Sequence, residues 1–284
     1  MRGDFVGTKK QEVAKDYFLH NGGVFPSKEF NIEKTIVYPS VYEVIRVMDG
    51  VPLFFEEHIN RLGSSIELLG YKQPYDNETI EEHILKLLEI NKCYNYNVKI
   101  IINALDSEEP NLFVYYVVSS YPEAELYKKG AHTILYEAER DNPNVKVIAA
   151  TFRDRVNKSI KNADAYEALL VNNSGEITEG SRSNVFFVKD DVFYTAPAED
   201  VLVGITRKRI IQLCLKLGYK VIEGPISVSF LENIDGLFLT GTSPKVLPVA
   251  TINDRKYNSS ENSAIKAVRD AYDGLIKDYI DKNK

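Results

Sequence analysis

The segment that most constrains the fold is an Asp49-Gly50 pair set between two strand-like runs. Residues 41–47 and 51–55 are rich in β-branched and aromatic side chains. An Asp-Gly pair favours the two-residue turn in which both residues take positive φ, so this segment predicts a β-hairpin. A helix that ends at Gly70 should follow, because apolar residues recur at helical spacing after the second run.

The rest of the chain continues as a mixture of strands and helices. A second helix over about 76–90 and strand-like runs at 98–102 and 112–118 complete a first unit. The later elements are expected to be strands at 132–137, 166–171, 183–188, 192–194 and 237–240, and helices over about 147–161, 205–217 and 264–280. Strands and helices do not alternate regularly, so the predicted fold class is α+β.

A break at Ser119-Ser120-Tyr121-Pro122 divides the chain into two predicted domains. Its 284 residues suit two packed cores better than one. We expect an N-terminal α+β domain over 1–121, a linker over 122–130 and a C-terminal α+β domain over 131–284.

Composition excludes several classes of protein. The net charge of −6 argues against a nucleic-acid surface, and no apolar run reaches the roughly 20 residues of a membrane span. The N-terminus has no apolar region typical of a secretory signal, and the two cysteines have no metal-ligand spacing. We therefore expect a cytoplasmic protein without a metal.

Two segments place polar groups where an anion could bind. Gly204-Ile205-Thr206 opens a helix and leaves N–H groups and a hydroxyl pointing outward, although ordinary helix capping explains the same residues. Thr240-Gly241-Thr242-Ser243 follows a strand and could hold phosphate or carboxylate, or could be a plain turn.

Two further segments carry charge at unusual positions. Arg61 shares one helical stripe with His58 and Ser65, beside the apolar face, where it could reach a phosphate or simply face solvent. Glu179 lies between Gly175 and Gly180, just before a predicted strand. It could be a functional carboxylate or part of the tip of a charged hairpin.

In this order, the segments resemble the class IV aminotransferases, the family of branched-chain aminotransferases, D-amino-acid aminotransferases and 4-amino-4-deoxychorismate lyase. The resemblance rests on residues 41–70, 166–197, 201–211 and 237–249, while residues 1–35 carry no part of it. It implies the fold-type IV architecture, with pyridoxal 5'-phosphate in the cleft between two domains, and a homodimer.

The resemblance also implies a role for particular residues. Lys146 precedes Glu167 by 21 positions, the spacing found in D-amino-acid aminotransferases, so the resemblance implies that it holds the cofactor and moves the substrate proton. Lys158 and Lys161 are its rivals, and a charged strand edge is the alternative for Lys146 itself. The remaining cofactor residues are expected to be Glu179 at the pyridine nitrogen and Arg61, Ile205, Thr206 and Thr242 at the phosphate.

The substrate side departs from each known specificity. Tyr42 and Ser243 are expected there, but Thr151 replaces the branched-chain enzymes' Tyr, and residues 99–102 lack the D-enzymes' Arg-x-His pair. The lyase's Thr also has no counterpart at Glu43-Val44. Lys99 is the local candidate for a carboxylate partner, with a solvated strand end as its alternative.

The resemblance, together with the absence of the D-enzymes' pair and the lyase's Thr, implies amino transfer between a branched-chain or other apolar L-amino acid and 2-oxoglutarate. D-amino-acid transamination and aminodeoxychorismate cleavage are the alternatives on the same fold. A non-catalytic binding protein, or a phosphate-ligand enzyme using only Arg61, Thr206 and Thr242, represents other functional classes. The presence of both Lys146 and Glu179 favours the aminotransferase.

Overall fold

The computed structural model describes residues 12–138, Asn144, Lys146 and 150–284, leaving aside the side chains of Ala150 and Thr151. The segment Asp141-Asn142-Pro143-Asn144, whose residue types are typical of a turn, lies largely outside these residues, and so does the predicted start of a helix at Val147. The same holds for the apolar neighbours of Lys146, which are Val145, Val147, Ile148 and Ala149.

Strands and helices are mixed along the chain, and the α+β prediction is confirmed. The strands of the first half are β1 (Tyr17–His20), β2 (Gly23–Pro26), β3 (Ser40–Met48), β4 (Val51–Pro52), β5 (Tyr96–Asn103) and β6 (Asn111–Tyr116). Those of the second half are β7 (Ala131–Glu137), β8 (Glu167–Val171), β9 (Ile177–Gly180), β10 (Asn184–Lys189), β11 (Val192–Thr195), β12 (Lys220–Glu223), β13 (Gly236–Gly241), β14 (Lys245–Ile252) and β15 (Arg255–Lys256). The α-helices are α1 (Phe55–Leu68), α2 (Asn77–Asn91), α3 (Ala124–Lys129), α4 (Ala150–Asn162), α5 (Ile205–Lys216) and α6 (Ser263–Asn283).

The first half forms a six-stranded antiparallel sheet in the order β2-β1-β6-β5-β3-β4. The predicted hairpin is confirmed: Asp49 and Gly50 link β3 to β4 with φ values of 51° and 84°. Positive φ at both positions is the geometry in which the twist of the turn matches that of the strands.

Helices α1 and α2 cover one face of this sheet and close the first core. Their buried residues, among them Ile59, Leu62, Ile80 and Ile84, pack against apolar side chains of β3, β5 and β6. The side chain of Asp76 caps α2 by accepting a hydrogen bond of 2.8 Å from the Thr79 N–H.

The edge of this sheet contains strands that the sequence did not predict. β1 and β2 pair with each other, and β1 pairs with β6 through Leu19 and His20. Residues 17–26 are too short and too mixed in polarity to give a period-2 signal, because β2 has no fully buried residue.

The second half forms a mixed sheet of nine strands, in the order β12-β11-β10-β13-β14-β7-β8-β9, with β15 paired to β14. β7 runs parallel to both β14 and β8, while β13 pairs antiparallel with β10 and β14. The sequence analysis missed β14, which contains Pro248, because a proline argues against a strand inside a sheet.

The predicted linker over 122–130 contains a helix rather than irregular chain. α3 lies there, with Glu125 and Lys129 paired at 3.2 Å on its exposed side. Six residues are too few to give a helical periodicity. The first sheet ends before α3 and the second begins after it; the division at 121 and 131 stays our interpretation.

The two halves are nevertheless packed together through the C-terminal helix. Leu53 and Phe54, which connect β4 to α1, belong to the same buried cluster as residues of α5 and α6. The Phe55 N–H donates a hydrogen bond of 3.3 Å to the Tyr279 hydroxyl of α6. Contacts with α6 therefore hold the start of α1 in place.

Candidate active site

A cavity of about 490 Å³ is lined by residues of both sheets. Of the predicted site residues, those that line it are Tyr42, Arg61, Lys146, Glu179, Ile205, Thr206, Thr242 and Ser243. Its size lies within the range of small-molecule sites. Residues far apart in the sequence are thus brought to one concave surface.

Lys146 lies beside the ring of Tyr42 in this cavity. Its Nζ is 4.8 Å from the ring centroid, and its carbonyl oxygen accepts a hydrogen bond of 3.1 Å from the Tyr42 N–H. Burial lowers the pKa of Lys146, and Arg61 and Arg153 lower it further, while Tyr42 and Glu43 oppose them. A lysine with a lowered pKa can attack a carbonyl or act as a base.

The two rival lysines lie elsewhere. Lys158 and Lys161 are exposed on α4, and neither lines the cavity. Of the three lysines, Lys146 alone is placed to meet a ligand in this cavity.

A positive cluster surrounds the hydroxyl of Tyr42. Arg153 of α4 donates a hydrogen bond of 2.8 Å to this hydroxyl. Burial raises the pKa of Tyr42, but Lys146, Arg153 and Lys99 outweigh that effect and bring the pKa down to about 7. Tyr42 can therefore change its protonation state near neutral pH.

At another part of the lining, the Glu179 carboxylate is buried and held in place. Its Oε2 accepts hydrogen bonds from Asn184 Nδ2 at 3.3 Å and from the Leu202 N–H at 3.1 Å. Gly204 packs so closely on Asn184 that an added Cβ would collide with the amide oxygen. The glycine is thus required for the position of the amide that supports Glu179.

The start of α5 offers unsatisfied donors to the same cavity. Gly204 is the N-cap and gives no side-chain cap, so the first N–H groups, at Ile205 and Thr206, have no partner within the helix. The nearby Thr240 hydroxyl lines the cavity, is fully buried and has no hydrogen-bond partner in the part of the chain that the structure describes. Buried polar groups normally have hydrogen-bond partners, so these donors indicate that a polar ligand binds here.

Arg61 is fixed by a buried carboxylate that the sequence analysis did not identify. Its Nε and Nη2 each donate to Glu43 at 2.7 Å, and His58 Nδ1 lies 2.8 Å from the same carboxylate. Burial raises the pKa of Glu43, but Arg61 and His58 outweigh it and hold the pKa well below its usual range. Arg61 Nη1 also donates a hydrogen bond of 3.2 Å to the Val203 carbonyl, so two of the five N–H donors of the guanidinium remain for a ligand in the cavity.

Lys99 requires a correction. It is buried on β5 but does not line the cavity, and its ammonium is paired with Glu12, which also accepts a hydrogen bond of 2.8 Å from Tyr115. Because its ammonium is bound to Glu12 and its side chain does not line the cavity, Lys99 is not placed to bind a substrate carboxylate. The alternation of β5 places Lys99 on the Tyr42 side of the sheet, and the sequence contains no signal for its pairing with Glu12.

Arg153 was also missed, although its spacing contains a signal. It shares one face of α4 with Val156 and Ile160, three and seven residues later, which pack with Ala168 against the second sheet. That face borders the cavity, and both Arg153 and Ile160 line it. An arginine within an apolar helical stripe was thus the available indication.

This donor set fits pyridoxal 5'-phosphate. The cavity combines an amine with lowered pKa, a buried carboxylate, and a cluster of N–H, hydroxyl and guanidinium donors. These correspond to what an aldehyde, a pyridine nitrogen and a phosphate need.

Among the described residues there is no group of His, Cys, Asp and Glu that could hold a metal ion. No helix in the same residues is long and apolar enough to cross a membrane.

Comparisons with known proteins agree with this reading. Residues 40–252 match the family described as amino-transferase class IV. A probable branched-chain-amino-acid aminotransferase of Rickettsia bellii is 28% identical, covering 95% of this chain and 99% of its own. A D-alanine aminotransferase of Bacillus licheniformis is 27% identical, covering 77% of this chain and 81% of its own. The T.th. branched-chain amino acid aminotransferase with pyridoxamine 5'-phosphate is 25% identical, with a TM-score of 0.81 over 94% of this chain and 96% of its own.

Proposed function

The chain belongs to the class IV aminotransferases, and from that premise we propose that it moves the amino group of a branched-chain or other apolar L-amino acid to 2-oxoglutarate. It is a transaminase that depends on pyridoxal phosphate. The assignment of its site rests on one observation: Lys146, Glu179 and the start of α5 line the same cavity. The choice of substrate rests on the branched-chain relatives.

In this proposal Lys146 is the catalytic residue. Bound pyridoxal phosphate supplies an electron sink that stabilises negative charge on the substrate's α-carbon. The neutral Nζ of Lys146 accepts the α-proton as a general base. It later donates a proton as a general acid during transfer of the amino group. The lowered pKa of Lys146 supports this role, because a larger fraction of the amine is unprotonated near neutral pH.

The other residues hold the ends of the cofactor. Glu179 is proposed to keep a proton on the pyridine nitrogen, and its hydrogen bonds from Asn184 and Leu202 orient the carboxylate for that purpose. Arg61, Ile205, Thr206 and Thr242 are proposed to bind the phosphate, with Thr240 adding its unpaired hydroxyl. Tyr42 and Ser243 are proposed on the substrate side.

The decisive test of this site is the Lys146→Ala variant. It is expected to lose the visible absorbance of the bound cofactor together with turnover, because no other cavity amine among the described residues can bind the aldehyde. Lys158→Ala, which changes an exposed lysine, is the matched control and should keep both properties. A Lys146→Ala enzyme that stays coloured and active would refute the assignment.

D-amino-acid transamination is the second candidate, supported by the D-alanine aminotransferase relative. An amino-donor panel in both enantiomers, scored for the 2-oxo acid formed, separates the two functions. Turnover of L-leucine and L-valine but not D-alanine is expected, and turnover of D-alanine alone would overturn our substrate proposal. Release of pyruvate and aminobenzoate from aminodeoxychorismate would instead identify a lyase.

We also propose that the enzyme is a cytoplasmic homodimer. The family resemblance supports this assembly, and the chain exposes several apolar side chains that a partner could cover, including Val37, Tyr38 and Val118. Light scattering of the purified holoenzyme is expected to give twice the mass of the 32.2 kDa chain. A monomeric mass at working concentration would contradict the proposal.

A further inference from the structure

We propose that Arg153 binds the α-carboxylate of the substrate, with the Tyr42 hydroxyl as its hydrogen-bonding neighbour. This inference rests on the proposed function, because it assigns one part of the substrate of the same cavity. Arg153 lies outside the sequence segments that resemble the family, and Lys99 on the strand around residue 100 is paired with Glu12.

The position of Arg153 relative to Lys146 is the first argument. A substrate's carboxylate is bonded to the same carbon that loses its proton to the lysine, so its partner must lie close to Lys146. Lys146 Nζ and Arg153 Cζ lie 4.8 Å and 5.8 Å from the centroid of the same Tyr42 ring. Both side chains line the cavity.

The unused hydrogen-bonding capacity of Arg153 is the second argument. A guanidinium has five N–H donors in a planar fork, and among the described residues Arg153 donates only to Tyr42, at 2.8 Å. It forms no ion pair with a described carboxylate, whereas Arg61 is paired with Glu43 and Lys99 with Glu12. Arg153 can therefore form a two-point contact with a carboxylate.

The surroundings of Arg153 strengthen such a contact. The side chain is half-buried, on the α4 face that packs through Val156 and Ile160. Partial removal from water makes a charged hydrogen bond stronger than it would be on the surface. α4 also fixes the direction of the side chain, since its apolar face is anchored on the second sheet.

The test compares a carboxylate with its uncharged counterpart. Holoenzymes of the wild type, Arg153→Gln and Arg153→Lys are titrated with 4-methylpentanoate and with 4-methylpentanamide, following the absorbance of the bound cofactor. Neither compound has an amino group, so binding is measured without reaction and independently of which amino acid the enzyme uses. Arg155→Gln, an exposed arginine on the same helix, is the matched control.

Arg153→Gln should weaken binding of the carboxylate about 10- to 100-fold, the effect of losing a charged hydrogen-bonding partner. The same variant should change binding of the amide less than about threefold, because the amide carries no charge. Arg153→Lys should recover part of the loss, Arg155→Gln should show none, and the cofactor's absorbance should persist in all variants.

Three results would overturn the proposal. They are unchanged carboxylate binding in Arg153→Gln, an equal loss for carboxylate and amide, or a loss seen in Arg182→Gln but not in Arg153→Gln. Arg182 is included because it is an exposed cation of the same lining. Failure of the substrate proposal would leave these titrations intact, since the probe tests the carboxylate alone.

Discussion

At the scale of single residues, this site depends on buried charges that compensate one another. Glu43, Arg61 and His58 form a cluster in which the carboxylate is fully buried. Tyr42, Arg153 and Lys146 form a second cluster that lacks a carboxylate of its own among the described residues. Glu43 balances the charge of Arg61 in the first cluster, whereas no described carboxylate pairs with Arg153 in the second, so Arg153 can bind an anion.

Replacing Glu43 with Gln is expected to lower the free energy of unfolding at pH 7 by about 3–5 kcal/mol, because it leaves Arg61 buried without its counter-charge. The folded-state pKa of Glu43 lies below its unfolded value, so its contribution is present above about pH 4.3 and fades as the pH falls below that. Urea unfolding at pH 7 and at pH 3.5 measures both effects. Glu81→Gln, an exposed carboxyl on α2, should change stability by less than about 0.5 kcal/mol; an equal loss in both variants would contradict this role of Glu43.

Tyr42→Phe is expected to change the pH dependence with which cofactor-free enzyme takes up pyridoxal phosphate. Above its pKa of about 7, the Tyr42 phenolate raises the pKa of Lys146. Without it, the amine should be unprotonated at lower pH, so the midpoint of the uptake rate should move to lower pH. Stopped-flow absorbance at a series of pH values checks this, with Tyr166→Phe at the same cavity as control. An unchanged midpoint would show that the phenolate has no influence on the lysine.

At the scale of elements, the junction between β13, α5 and β10 holds the polar groups in place. Gly204 begins α5 against Asn184 at the start of β10, and Asn184 supports Glu179. Thr240, the residue opposite Asn184 in β13, adds its unpaired hydroxyl. One small residue therefore connects the proposed phosphate end of the cofactor to its nitrogen end.

Gly204→Ala should weaken cofactor binding by about tenfold, because the added methyl group must displace Asn184 and with it the Glu179 carboxylate. An effect of this size corresponds to about 1.4 kcal/mol, a typical cost for one disturbed buried hydrogen bond. Equilibrium dialysis against pyridoxal phosphate gives the ratio. Gly224→Ala, which has open space around it, is the control. Unchanged binding in Gly204→Ala would mean that Asn184 can move without cost.

Elements with strong periodicity could be predicted from the sequence, and elements defined by their partners could not. The hairpin at Asp49-Gly50 and helices α1, α2, α5 and α6 have local signals that agree with their tertiary roles. β1, β2 and β14 are strands because neighbouring strands pair with them, which no local pattern records. The same applies to the site, because Arg61 of α1 and Lys99 of β5 meet Glu43 and Glu12 only through tertiary packing.

At the scale of the whole molecule, the cavity joins residues of both sheets, so cofactor binding should stabilise the entire chain. A ligand that binds only the folded state adds about 2.7 kcal/mol at 100 times its dissociation constant, which raises Tm by about 5–10 °C for a protein of this size. Differential scanning fluorimetry with and without pyridoxal phosphate measures the shift. Lys158→Ala should match the wild type and Lys146→Ala should shift much less; an equal shift in Lys146→Ala would separate stabilisation from this lysine.

The packing of α6 against Leu53 and Phe54 has a consequence for the synthesis of the chain. The ribosome delivers these two residues early, but the helix that covers them begins only at Ser263. During most of translation the start of α1 therefore exposes an apolar surface, because α6, which buries it in the folded chain, has not yet been synthesised. Nascent chains arrested before Ser263 should bind an apolar fluorescent dye, and chains released at full length should not. The synthesis of α6 thus determines when the apolar start of α1 becomes buried and less prone to aggregation.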